Sequence, residues 1–232
     1  MSSHFDKGID PPVALTRRIH AEVLAQRAPM LRTHLRNAIA LAIASCVTAS
    51  VVASASKLVY GELALGLRSA LSSPSLLALV GVALLTLLFV STLAALRRGR
   101  LGLGSSAVVL LTTAMASVPL YALLALAFPV HEDITTVGSV AISPLGARCF
   151  VIAALVGAVV LGSFAWAMRA AVPVGTHVRS LAIGSAAGIW AGLAVFVFCP
   201  SGDSLHVSFG HVLPVAAIAL IGTLALPAIL RP

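Results

Sequence analysis

The stretch FCPSGDSLHVSFGHVLP, residues 198–214, sets Cys199, Asp203, His206 and His211 between two long apolar runs. A second thiol, Cys149, opens the apolar run at 149–168, and a further imidazole, His131, lies in the connection that precedes that run. Thiolates, imidazoles and carboxylates are the ligands of zinc, copper and similar transition-metal ions. Two thiols also offer a disulfide, provided their Cα atoms come within about 7 Å in an oxidising compartment. Spacing limits the first chemistry. His206 and His211 are five residues apart, about 140° around an ideal α-helix, so a regular helix cannot present both to one ion. A break near Gly210 would. Three cysteines without a CxxC exclude a ferredoxin-like or zinc-finger arrangement. Ser, His and Asp co-occur in residues 201–211, yet proximity in a connection supplies neither an oriented triad nor an oxyanion hole. No enzyme is expected.

The elements that must carry these residues are membrane helices. The chain is 59% hydrophobic and 9% charged over 232 residues, with mean hydropathy +1.07. A soluble domain has about a quarter charged residues. Six apolar segments stand out, at 37–56, 75–96, 106–128, 149–168, 181–198 and 212–230. Each approaches the ~20 residues that cross a bilayer. A backbone in lipid must satisfy its own hydrogen bonds, so the expected fold is an all-α membrane protein with six transmembrane helices.

The net charge of +8 would suggest nucleic acid in a soluble protein. Here it orients the chain, and no direct nucleic-acid binding is expected. Lys7, Arg17, Arg18, Arg27, Arg32, Arg36, Arg97, Arg98, Arg100, Arg169, Arg179 and Arg231 fall on one side of the six segments; Lys57, Arg68 and Arg148 fall on the other. The positive-inside rule then puts both termini in the cytoplasm.

Segments four and five are joined by RAAVPVGTHVRS and should form an antiparallel hairpin. Its centre lies near Val174, and Cys149 and Cys199 are each 25 residues from it. They should therefore sit level at the external face, where a transition-metal ion is a cofactor the donors admit. Cys46, inside the first segment, reads as a small apolar filler. Gly184, Gly188 and Gly192, four apart, form a groove for close helix packing. Packing within the chain and a homodimer face are its two readings.

Residues 1–36 form a separate polar, basic segment, and residues 37–232 the six-helix unit. The late, long first apolar stretch argues against a cleaved signal peptide. From Val13 to Arg27 the tail has the pattern of a short amphipathic helix, with Leu15, Ile19, Val23 and Leu24 as its apolar stripe. Such a stripe serves equally to lie on the lipid bilayer or to bind a protein.

The segments GARCF, AWAMRAAVP, GSAAGIWAGLAVFVFCP and HVSFGHVLPV, in this order and spacing, resemble the NrsF family. The resemblance covers residues 146–232, and the six-helix topology extends it along the chain. Arg148-Cys149 and Cys199-Pro200 are its most specific elements. The family consists of multi-pass anti-sigma factors of the bacterial inner membrane. The resemblance implies that the cytoplasmic tail, through Leu15, Ile19, Val23 and Leu24, holds an extracytoplasmic-function sigma factor. It implies that Cys149 and Cys199 sense heavy metal or oxidant, with His131, Asp203, His206 and His211 as neighbours of the site. The competing reading is a small membrane transporter or metal-ion permease that takes up its ion through the same Cys/His cluster. Transporters generally need ionisable groups at membrane depth, and the six segments as bounded here contain no Asp, Glu, Lys or Arg.

Overall fold

A computed structural model describes residues 32–54, 74–96, 107–127, 144–169, 176–199 and 203–229. All regular structure among them is helical. The helices are α1 (Arg32–Ser54), α2 (Pro74–Leu96), α3 (Ala107–Ala127), α4 (Pro144–Met168), α5 (Thr176–Phe198) and α6 (Ser204–Ile229). All six are long and apolar enough to cross a membrane. The amphipathic tail stripe, Leu15, Ile19, Val23 and Leu24, lies outside the described residues, as does His131.

Five of the helices lie close to the expected segments. The sixth begins eight residues earlier, because residues 204–211, expected in a polar connection, are helical. Asp203 is the reason: its carboxylate accepts the backbone N–H of His206 at 2.9 Å, capping a new helix as soon as the chain can turn. His206 and His211 therefore stand on a helix rather than in a loop.

Helix α5 is the centre of the bundle and packs on α2, α3, α4 and α6. Small residues let it do so. A Cβ on Gly184 would lie 2.7 Å from the Ala219 carbonyl oxygen, and one on Gly222 would lie 2.6 Å from the Gly184 Cα. The backbones of α5 and α6 thus touch where these glycines face each other. Gly188 continues the seam against Val215, and Gly192 leaves the space filled by the Tyr121 ring. The glycine groove is occupied from within the chain, by α6 and α3. Leu79, Val82, Leu85 and Phe89 on α2 and Leu220, Ile221 and Leu224 on α6 point outward, as lipid-facing side chains do. Cys46 is exposed on α1 and fills no core.

Polar ties mark one end of the bundle. Asn37 donates to the Leu96 carbonyl at 3.1 Å, and the Arg36 guanidinium lies over the Trp166 ring, 5.8 Å from its centroid. The start of α1 is thereby held to the ends of α2 and α4. Because α4 runs the length of the bundle, its first turns, with Cys149, lie at the opposite end.

Candidate thiol–imidazole site

Two helix ends and one helix start converge there. Cys149 sits in the second turn of α4. Cys199 follows the last residue of α5, still tied by its N–H to the Val195 carbonyl at 3.0 Å. Proline at 200 disfavours helix in the residue before it, and Asp203 starts α6 three residues later. His206, in the first turn of α6, stands beside Cys199. Its Nε2 lies 3.0 Å from the Cys199 Sγ. The two sulfurs, predicted to be level, are 3.6 Å apart, with Cys149 donating to Cys199. Both thiols are free.

His211 joins them by a local change of helix type. Residues Ser208–Val212 form a π turn, and the Leu213 N–H donates to the Ser208 carbonyl five residues back. A π turn holds one residue more than an α turn. His211 consequently occupies the place an i+4 residue takes on an α-helix, the relation that lets two histidines share an ion. The rings of His206 and His211 stand edge to face with centroids 5.5 Å apart. The break expected near Gly210 takes this form, and the regular-helix separation of 140° does not apply.

The local cause is legible in HVLP. Pro214 has no N–H for the carbonyl of Gly210, and its ring crowds that carbonyl, so the α-helical ladder fails just upstream. Gly210 permits the turn to lie against α4: a Cβ there would be 3.1 Å from the Cys149 Cβ. Phe209 stacks on Phe150 at 5.6 Å and fixes the same contact from the side.

The four donor atoms of Cys149, Cys199, His206 and His211 all lie within 4.8 Å of one another. The residues are 1%, 2%, 5% and 2% exposed, so the cluster is closed to bulk solvent. Neither ring nitrogen of His211 has a hydrogen-bond partner. The Cys149 thiol donating to it, with His206 close behind, holds the Cys199 thiol below the usual thiol range, while burial acts the other way. The set is soft-to-borderline in ligand character, and it fits a transition metal. It equally fits a thiol pair ready for oxidation.

Asp203 is not among the donors; its carboxylate is engaged as the cap of α6. Tyr121 was not singled out by its sequence position. It is fully buried against Gly192, below Cys199 on α5, with its hydroxyl unpartnered. A lone tyrosine in an aliphatic span, with a polar tip that needs a partner when buried, was the available signal.

Neither a curated protein nor a solved structure matches the chain. The family model described as negative regulator of sigma F matches residues 24–231. The match begins at Leu24, so Leu15, Ile19 and Val23 precede it. It takes in all six helices and the whole thiol–imidazole cluster, and on it the chain belongs to the NrsF family.

Proposed function

We propose that this protein is a multi-pass anti-sigma factor of the bacterial inner membrane, with both termini cytoplasmic. Its N-terminal segment sequesters an extracytoplasmic-function sigma factor, and the Cys149–Cys199 pair at the external face triggers release. Family membership supports the sigma-factor partner. The observation that carries the sensing reading is the 3.6 Å contact between two buried thiols on different helices. Any reaction joining these sulfurs acts on the relative position of α4 and α5.

Heavy metal and oxidant both do this. With a hydroperoxide, one thiolate attacks the O–O bond to give a sulfenic acid and release an alcohol or water. The second thiol then displaces water to form the disulfide. The pair loses two electrons and two protons. With a soft metal ion, both thiols lose their protons and become ligands.

Movement has two routes inward. The first is the glycine seam, where α5 and α6 touch backbone to backbone and cannot slide independently. The second is α4, whose far end holds Trp166 under Arg36 at the root of the tail. A tenfold change in sigma-factor affinity needs only about 1.4 kcal/mol of coupling. The transporter reading finds less support, because the space below the cluster is filled by Tyr121 and Val215 against Gly192.

The test is a mild-detergent pull-down of the tagged protein with and without Cd²⁺ or hydroperoxide. A sigma factor that co-elutes at rest and is lost on treatment is the expected result. A Cys149→Ser, Cys199→Ser double variant that still releases it would sink the thiol mechanism.

A further inference from the structure

Two cysteines alone would leave a bound metal ion two ligands short of the four it takes in a closed site. The geometry points to His206 and His211 as the missing pair: we infer that Cys149, Cys199, His206 and His211 form a complete four-ligand site for a divalent ion of the zinc class, such as Zn²⁺ or Cd²⁺. The inference rests on the sensing reading and names its ligand.

Three observations carry it. The first is distance. In a tetrahedral zinc site, bond lengths of about 2.3 Å to sulfur and 2.0 Å to nitrogen place neighbouring ligand atoms roughly 3.3–3.8 Å apart. The sulfurs are at 3.6 Å, and Cys199 Sγ to His206 Nε2 is 3.0 Å. The sulfur pair is already at the required spacing. The Cys199–His206 pair has to open by a few tenths of an ångström, and the widest separation in the set, no more than 4.8 Å, has to close, both within reach of small side-chain rotations.

The second is His211. A ring that is 2% exposed, with neither nitrogen in a well-formed hydrogen bond, has only the nearby Cys199 thiol to offset its desolvation, where each unmade bond costs roughly 1–3 kcal/mol. A metal ion removes one of these deficits. A π turn and a glycine are devoted to bringing this ring to the thiols.

The third is charge. Burial in a bundle of apolar helices is tolerated only by a set that sums to nearly zero. Two thiolates, two neutral imidazoles and one divalent cation do so: M²⁺ enters and two thiol protons leave. A monovalent ion such as Cu⁺ leaves a net negative charge buried. Tetrahedral S₂N₂ is also the ligand set that selects zinc-class ions. With four protein donors and no solvent-open position, the site binds and holds its ion; it does not activate water.

The experiment is Co²⁺ titration of the purified full-length protein in detergent under reducing conditions, followed by Zn²⁺ competition. Four-coordinate Co²⁺ with thiolate ligands gives intense visible and charge-transfer bands, whereas six-coordinate Co²⁺ is nearly colourless. We expect one Co²⁺ per chain with the four-coordinate spectrum, displaced by Zn²⁺. His206→Phe and His211→Phe keep a ring in the buried space. Each should weaken binding by more than about tenfold, the low end of what losing even an outer partner of a ligand costs, and change the visible bands. Helicity and elution volume confirm that the variants are folded, and His206→Asn and His211→Asn serve should a Phe variant misfold. Unchanged affinity and spectrum in the histidine variants overturns the four-ligand site and leaves thiol sensing standing. No Co²⁺ bound by the wild type also overturns it, while release by hydroperoxide in the pull-down then decides the sensing reading separately.

Discussion

Cys149 Sγ and Cys199 Sγ, fifty residues apart in the chain, meet at 3.6 Å where α4 begins and α5 has just ended. The contact is buried, while the third thiol, Cys46, is exposed on α1. Alkylation should separate the two classes. In detergent without denaturant, a small apolar maleimide that enters the micelle is expected to reach Cys46 and to spare Cys149 and Cys199, and all three cysteines should react after denaturation. Hydroperoxide treatment should then remove Cys149 and Cys199 from the denatured count. Prompt native labelling of Cys199 would contradict the closed site.

Asp203 acts on the site through the backbone of α6. Asp203→Ala should cost about 0.5–2 kcal/mol as a lost helix cap and weaken Co²⁺ binding less than His206→Phe does. Asp203→Ser and Asp203→Asn, which also cap, should restore most of the affinity. If neither rescues, the carboxylate has a role beyond capping.

Pro214 maintains the π turn by withholding an N–H from the Gly210 carbonyl. Pro214→Ala supplies that donor and favours a regular α-helix, which turns His211 away from His206. The expected result is a stable protein with Co²⁺ affinity as low as that of His211→Phe. An unaltered metal spectrum would show that the turn is held by Phe209–Phe150 stacking and Gly210 instead.

The seam between α5 and α6 leaves no room for a methyl group. Gly184→Ala places a Cβ 2.7 Å from the Ala219 oxygen, and backbone cannot yield as a side-chain tip does. A loss of about 1–3 kcal/mol is expected, read as a lowered aggregation temperature in detergent. Gly81→Ala, where nothing lies within 4 Å, should be nearly silent.

At the far end, Trp166→Ala removes the surface beneath Arg36, a contact of about 0.5–1 kcal/mol at an exposed position. Metal binding, some seventeen residues away along α4, or about 25 Å, should be unaltered, yet release of the partner in the pull-down should be blunted. Equal release by wild type and variant would assign transmission to the glycine seam alone.

Much of this protein is determined by its sequence alone. Spans near 20 apolar residues in lipid have one solution for their backbones, so six helices follow from composition. A hairpin with thiols equidistant from its turn brings Cys149 and Cys199 level by counting. The glycines four apart announce a close helix contact. Only the tertiary structure decided what meets that groove, since α6 and a second chain offer the same apolar surface. Only it decided where α6 begins, because Asp203 caps a helix through a turn whose closure no periodicity reports. His211 is the clearest case. Read at 100° per residue it faces away from His206, and one extra residue in one turn, forced by Pro214 and accommodated against Cys149 by Gly210, carries it back. Helical periodicity assumes a regular ladder of hydrogen bonds, and the site is built where packing between α4 and α6 makes that ladder irregular.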